Sequence, residues 1–262
     1  MKENFHIVAD SHRELVEGIT RNGIPEGAEV IYSGRNTLYI VSDRDGTEVC
    51  IKEFHIPRFP NSLIYTHFRR SKAERSYTNA LKLKELGFGT PEPYGYSEVT
   101  VAGCLTRSYY FCHAERTLEN IREWDRFPFV EDLLEALARE MVKLHKAGVF
   151  MRDFSPGNIL FSRDAQGNFS FSYVDLNRME FGVFDRHRQM RNFRAIYIEP
   201  EQTARIARKY ALVTGTDPDL MERIALWELE NYFAQKRRNG RLKSLLPRRK
   251  NQTQENNRNH TP

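Results

Sequence analysis

The sequence predicts an α+β fold in two lobes, a small antiparallel-sheet lobe with one helix and then a mostly helical lobe. Three observations carry this. Strand-like runs at Glu29–Ser33, Thr37–Ser42 and Glu48–Phe54 are separated by tight-turn sequences. A helical period follows at Val130, Leu133, Leu134, Leu137, Met141 and Leu144. Between that helix and the next apolar run lies a short polar loop, Arg152-Asp153-Phe154-Ser155-Pro156-Gly157-Asn158.

Taken in order, residues 1–27 read as a strand-helix extension, with a strand at Phe5–Val8 and a helix opening at Ser11, where Glu14 stands at capping-box spacing; Gly23 and Pro25 close it. The small lobe is expected over 28–115. Its meander turns at Ser33-Gly34-Arg35-Asn36 and Asp43-Arg44-Asp45-Gly46. A helix is expected from Ser62 to Leu86, with Tyr77, Ala80, Leu81 and Leu83 on its apolar side, and two further strands at Tyr94–Val101 and Arg107–His113 complete a five-stranded sheet. The second lobe is expected over 116–236. After the Val130–Leu144 helix, Ile159–Phe161 and Phe169–Val174 form a hairpin, followed by helices at Gln189–Ile198, Glu201–Thr214 and Asp217–Lys236. In the last, Asp217 is the N-cap, Pro218 takes the first helical position, and Leu220, Ile224, Trp227 and Leu229 supply the apolar side.

A chain of 262 residues, 40% hydrophobic and 12% aromatic, can bury a core. No run approaches the roughly eighteen apolar residues of a membrane span, and the first residues lack a secretory apolar run, so the expected location is the cytoplasm. Cys50, Cys104 and Cys112 are odd in number and lack metal-type spacing, which fits reduced buried thiols. The net charge of +5 is a property of one end. Eight basic residues and no acid lie between Lys236 and Lys250, and without them the chain stands at −3. Residues 237–262 are expected to form a disordered basic tail that binds anionic lipid, binds nucleic acid or is simply solvated.

Several polar residues stand where burial is expected. Cys50, Lys52 and Phe54 share one strand face by two-residue alternation. An unpaired ammonium there is costly, and Glu74 on the following helix offers a partner, although it also reads as one surface acid within Lys72-Ala73-Glu74-Arg75. The hairpin brings Asn158 and Asp175 to neighbouring strand ends, where both reach one cation. Taken alone, Asp153 and Asn158 also suit an ordinary Pro-Gly turn.

With Lys52, Glu74, Asp153, Asn158 and Asp175 together, residues 28–236 resemble the protein-kinase-like superfamily. More narrowly, Ile31-Tyr32-Ser33-Gly34-Arg35-Asn36, Lys72-Ala73-Glu74-Arg75-Ser76, Leu86-Gly87-Phe88-Gly89-Thr90-Pro91-Glu92-Pro93 and Arg152–Asn158 resemble the bacterial lipopolysaccharide core kinases that act on Kdo and heptose. The resemblance implies ATP and Mg2+ as cofactors. It implies that Asp153 takes the proton of an acceptor hydroxyl, that Asn158 and Asp175 hold the metal, and that Lys52, paired with Glu74, meets the α- and β-phosphates. The turn at Gly34 and Arg35 would cover the phosphates, and Cys112, His113 and Ala114, leading to Glu115, would meet the adenine edge at an inter-lobe hinge. The acceptor it implies is a lipid-linked sugar of the inner core at the cytoplasmic face of the inner membrane. The basic tail and Arg58, Arg69, Arg70 and Lys72 would favour such an anionic acceptor, and nucleic acid is not the expected partner; oligomeric state stays open.

The sequence departs from the superfamily pattern at several points. Met151 stands in place of His, Ser155 in place of a phosphate-contacting Lys, and Asp175-Leu176-Asn177 in place of Asp-Phe-Gly; no Ala-Pro-Glu follows. These changes suit a small-molecule kinase better than a protein kinase. Arg178 would meet an anionic acceptor or pair with Glu180. Two rivals remain at this point: a pseudokinase that binds nucleotide or a partner without chemistry, and a ribosome- or tRNA-associated kinase or ATPase sharing the Asp-x-Ser-x-x-Asn pattern.

Overall fold

A computed structural model describes residues 2–7, 12–56, 70–196 and 200–245. In chain order its elements are β1 (Lys2–Ile7), α1 (Arg13–Asn22), β2 (Glu29–Ser33), β3 (Thr37–Ser42), β4 (Glu48–Glu53), α2 (Lys72–Glu85), β5 (Pro93–Val101) and β6 (Cys104–His113). Then follow β7 (Glu119–Asn120), α3 (Val130–Lys146), β8 (Val149–Met151), β9 (Ile159–Arg163), β10 (Phe169–Tyr173), β11 (Met179–Phe181), α4 (Arg186–Ile196), α5 (Pro200–Thr214) and α6 (Pro218–Leu245).

The first lobe is one antiparallel sheet of order β1-β5-β6-β4-β3-β2. Alternation along β4 divides its side chains between two cores. Val49 and Ile51 face α1, packing with Val16, Ile19, Tyr109 and Phe111, whereas Phe54 packs with Ala73 and Tyr77 of α2 and with Tyr110 and Cys112. The sheet therefore has six strands and a helix on each face rather than five strands and one helix. Strand β1 is part of it, pairing with β5 from Lys2↔Thr100 to Ile7↔Gly95, so the expected separate extension is built into the lobe. Without α1, Val49, Ile51 and Phe111, each wholly buried, would face water, at a cost of about 1.5–3 kcal/mol apiece. Thr20 Oγ1 donates to Ser97 Oγ at 2.7 Å beneath the helix.

Two helix starts differ from expectation. Helix α1 begins at Arg13 with His12 at the cap and no side-chain cap bond, while His12 pairs with Asp43 at 2.6 Å; Ser11 lies outside the described residues. Helix α2 begins at Lys72, not Ser62, because Ser71 is extended and its Oγ accepts the Glu74 N–H at 3.0 Å. The expected stretch 62–69 lies outside the described residues, as do Arg58 and Arg69.

The second lobe packs α3, α4, α5 and α6 around Leu133, Leu137, Met141, Met190, Phe193, Ile206 and Met221. Asp217 caps α6 through the Asp219 N–H at 2.9 Å. Its inner stripe is Met221, Ala225, Glu228 and Leu229, and Trp227 is exposed rather than buried. A buried carboxylate is tolerated at Glu228 because Arg191, Arg194 and His187 surround it. Helix α6 continues past Lys236 to Leu245, so the first part of the basic run is helical, consistent with the helix propensity of Lys and Arg and their compatibility with a helix C-terminus. The remainder, including Arg248, Arg249 and Lys250, lies outside the described residues.

The lobes are joined at the segment between α2 and β5. Gly89 bridges Ser172, its carbonyl accepts the Tyr173 N–H at 3.0 Å, and Thr90 Oγ1 donates to the Tyr173 carbonyl at 2.8 Å. A Cβ on Gly89 would overlap the Phe171 carbonyl oxygen, a backbone atom that cannot swing aside. Gly89→Ala should therefore destabilise the chain by about 1–3 kcal/mol. Urea unfolding measures this, and an unchanged midpoint would contradict the account of the junction.

Candidate active site

Three short elements place the polar residues. The β9–β10 ladder runs from Phe169↔Arg163 to Tyr173↔Ile159, and the Val174 N–H extends it to the Asn158 carbonyl at 3.0 Å. This sets Asn158 and Asp175 side by side. A two-stranded pair not anticipated from the sequence, β8 with β11, runs from Met151↔Met179 to Val149↔Phe181 and clamps the entry of the Asp153 loop against the exit of the Asp175 segment.

Within the loop, the Ser155 N–H donates to the Asp153 carbonyl at 2.8 Å, and so does Asn158 Nδ2 at 2.9 Å. The Asn158 amide nitrogen is thereby taken up, which leaves its oxygen as the atom suited to a cation. Arg178 Nη1 lies 3.1 Å from each oxygen of the Asp153 carboxylate. Arg178 thus does not pair with Glu180, which is bonded by Arg188 and lies 3.8 Å from Arg152. Each Asp153 oxygen keeps a further lone pair, so the guanidinium orients the carboxylate without exhausting it.

Asp175 has φ 59° and ψ 49°, a left-handed conformation that strains a non-glycine residue. Two amides hold it there. Asn177, buried where a glycine is usual, donates from Nδ2 to Asp175 Oδ1 at 2.6 Å, and Asn79 of α2 donates to the Leu176 carbonyl at 2.7 Å.

Lys52 crosses between the lobes and pairs with Asp175. The Lys52–Glu74 pair expected from the sequence is not made. Glu74 lies four residues from Arg70, whose Nε is 3.4 Å from its carboxylate, and Asp175 meets the largely buried lysine instead. Gly34 and Arg35 stand in the exposed β2–β3 turn. At the end of β6, the His113 N–H is taken by Glu92 at 2.9 Å and the Ala114 N–H by Glu48 at 3.1 Å. Both N–H groups serve the sheet, so they are not the donors an adenine edge would meet. Cys112 faces Cys50 across β6 and β4. The Cys50 sulfur and burial together push the Cys112 thiol well above its usual range, and all three cysteines are free.

Sequence reasoning missed the brace behind the loop. Asn192 of α4 donates from Nδ2 to the Met151 carbonyl at 2.6 Å. Its Oδ1 lies 2.9 Å from His145 Nε2, and His145 Nδ1 lies 3.1 Å from the Tyr210 hydroxyl. Because the Asn192 oxygen must accept, the network assigns the proton to Nε2 and leaves Nδ1 to accept from Tyr210. The one sequence signal was a histidine in the last turn of an amphipathic helix, next to Leu144 on its apolar side. Burial is the main cause that lowers His145 from 6.5 to about 4, against the bond to Asn192, which raises it. A lowered pKa means that the unfolded chain binds more protons between those values. Stability is therefore full above pH 6.5 and falls by roughly 3 kcal/mol as pH drops toward 4. Urea unfolding of the wild type and His145→Gln at pH 7 and pH 4.5 should show a smaller acid loss in the variant; equal losses would contradict the buried neutral imidazole.

A family model for the lipopolysaccharide kinase (Kdo/WaaP) family matches residues 35–211. Two solved structures share the fold. One is WaaP in complex with acyl carrier protein, 16% identical at a TM-score of 0.58, covering 88% of this chain and 98% of that one. The other is the Rio2 kinase from Chaetomium thermophilum, 16% identical at a TM-score of 0.52, covering 84% and 76%. No curated protein sequence matches the chain at a significant level. The structural likenesses establish the protein-kinase-like fold, and the family match, spanning more than half of the residues, establishes the rest: this chain is a kinase and belongs to the lipopolysaccharide kinase (Kdo/WaaP) family.

Proposed function

We propose that the chain transfers the terminal phosphate of Mg2+-bound ATP to a hydroxyl of a Kdo or heptose residue in the lipopolysaccharide inner core. The observation that carries this reading is the convergence of Lys52, Asp175, Asn158 and Asp153 where the sheet lobe meets the helical lobe, in a chain of this family. The donor set fits Mg2+: one carboxylate and one amide oxygen, with no cluster of three or more His, Cys, Asp or Glu among the described residues. Mg2+ takes few protein ligands and completes its shell with phosphate and water oxygens. When bound, it neutralises charge on the phosphates.

The remaining work falls to side chains. Asp153 accepts the acceptor hydroxyl's proton, and Arg178 holds its carboxylate in one orientation. Asn158 and Asp175 supply oxygens to the metal, and Asn177 fixes Asp175. Lys52 steadies the phosphates, so that catalysis is positioning plus charge compensation. The adenine contact stays with the backbone of Cys112 to Glu115, through groups other than the His113 and Ala114 N–H, which serve the sheet. We place the domain limits at 28–115 and 116–236, with 1–27 built onto the first lobe's sheet.

The acceptor is lipid-linked, and no described helix is long and apolar enough to cross a membrane. The exposed Lys236, Arg237 and Arg238 of α6 suit peripheral contact with anionic headgroups. The likeness to Rio2 concerns fold alone and carries no RNA-directed reading.

Asp153→Ala should lower phosphate transfer to purified inner-core lipopolysaccharide by about 10²–10⁴ while ATP still binds. Mass analysis of the lipopolysaccharide reads the added phosphate. Transfer undiminished in the variant, or a wild-type product without phosphate on the inner core, would overturn the assignment.

A further inference from the structure

Lys72, grouped in the sequence with cations that would favour an anionic acceptor, has a second set of neighbours. It is the first residue of α2, and its Nζ lies 5.9 Å from the centroid of the Phe54 ring. Lys52 Nζ lies 5.3 Å from the centroid of the same ring. Phe54 is only 3% exposed and continues the β4 alternation that carries Lys52, so both ammonium groups gather on the cleft side of the sheet, between β4 and α2.

The charges around Lys72 are unbalanced. No carboxylate forms an ion pair with it among the described residues, and Lys72 is half-buried. Burial first, then the charges of Arg35 and Arg75, hold its ammonium below the usual lysine range; Lys52 adds to this, and Asp175 opposes it. Lys52 and Lys72 thus share the Phe54 ring, the charge of Arg35 acts on Lys72, and the carboxylate that acts on Lys72, Asp175, is already paired with Lys52. Cations brought together and partly desolvated without counter-charge are stabilised by a multivalent anion. Arg35 stands in the β2–β3 turn above and Lys72 on α2 beside it, and the α2 N-terminus adds its own positive end.

We infer that Lys72, assisted by Arg35, is a second phosphate-binding cation of the nucleotide site, gripping the terminal phosphates from the helix side while Lys52 holds the chain of phosphates from the strand side. The inference rests on reading this cleft as the ATP site. It also gives the β2–β3 turn, with its single glycine, a reason to manage without a glycine-rich loop: cationic side chains supply what backbone N–H groups supply in such a loop.

The test is calorimetric titration of the full-length wild type, Lys72→Met and Lys72→Arg with ATP, ADP and AMP in the presence of Mg2+, alongside KM for the acceptor. Lys72→Met should lose about tenfold in ATP affinity, less for ADP and little for AMP, as fits one charge-assisted contact to the terminal phosphates. Lys72→Arg should retain most of the ATP affinity, which separates lost contact from lost folding. Equal ATP, ADP and AMP affinities in Lys72→Met and wild type would overturn the inference while leaving the ATP site standing. So would a rise confined to the acceptor KM, which would return Lys72 to acceptor binding. A wild type that binds none of the three nucleotides would instead overturn the reading of the cleft.

Discussion

The ion pair between Lys52 and Asp175 is the contact on which the arrangement depends. Lys52 stands on the sheet and Asp175 follows the hairpin of the other lobe, so the pair ties together two bodies that fold around separate cores. Its 12% and 30% side-chain exposures place it between the regimes of buried and surface pairs, where removing one partner leaves the other poorly solvated. Much of the neighbouring structure serves to present these two groups. Alternation along β4 turns Lys52 toward α2, which requires α1 to cover the opposite face of the same strand. Asn177 and Asn79 hold the left-handed turn at Asp175, so a residue that would relax out of that conformation is kept in it.

The Asp153 loop is held in a complementary way. Its carboxylate is oriented from the front by Arg178, and its backbone is fixed from behind by Asn192 acting on Met151. The histidine missing from position 151 has a counterpart in His145, one helix end earlier, which locks Asn192 rather than the loop itself. Met151 can therefore be an apolar core residue, because bracing falls to its carbonyl and not to its side chain.

Strands β2, β3 and β4 were legible in the sequence almost to the residue, because the turns at Ser33–Asn36 and Asp43–Gly46 punctuate them and two-residue alternation runs between. The helix of the second lobe was equally plain from its apolar period, and of the five polar residues that the family resemblance named, four (Lys52, Asp153, Asn158 and Asp175) stand where the lobes meet, whereas Glu74 lies beside Arg70. Sequence reading failed where a choice depended on geometry between distant segments. Glu74 has the right periodicity to meet Lys52, but Arg70 is its near neighbour and Asp175 is the nearer carboxylate to the lysine, and no spacing rule decides between them. Residues 1–27 looked like an extension because strand pairing over ninety or so residues of separation leaves no local trace. Asn192 was invisible for the same reason: a single polar residue inside a basic helix gives no hint that its partner is a carbonyl forty-one positions away.

In the function proposed above, cationic side chains meet the phosphates and the carboxylate of Asp153, oriented by Arg178, meets the acceptor hydroxyl. The most direct test of the central claim is the dependence of nucleotide binding on Mg2+ in the wild type, Asp175→Asn and Lys52→Met, measured with a non-hydrolysable ATP analogue. If the pair presents one metal ligand and one phosphate-binding cation, Asp175→Asn abolishes the tightening that Mg2+ produces, and Lys52→Met weakens binding whether or not Mg2+ is present. Mg2+-dependent tightening that survives unchanged in both variants would contradict the account.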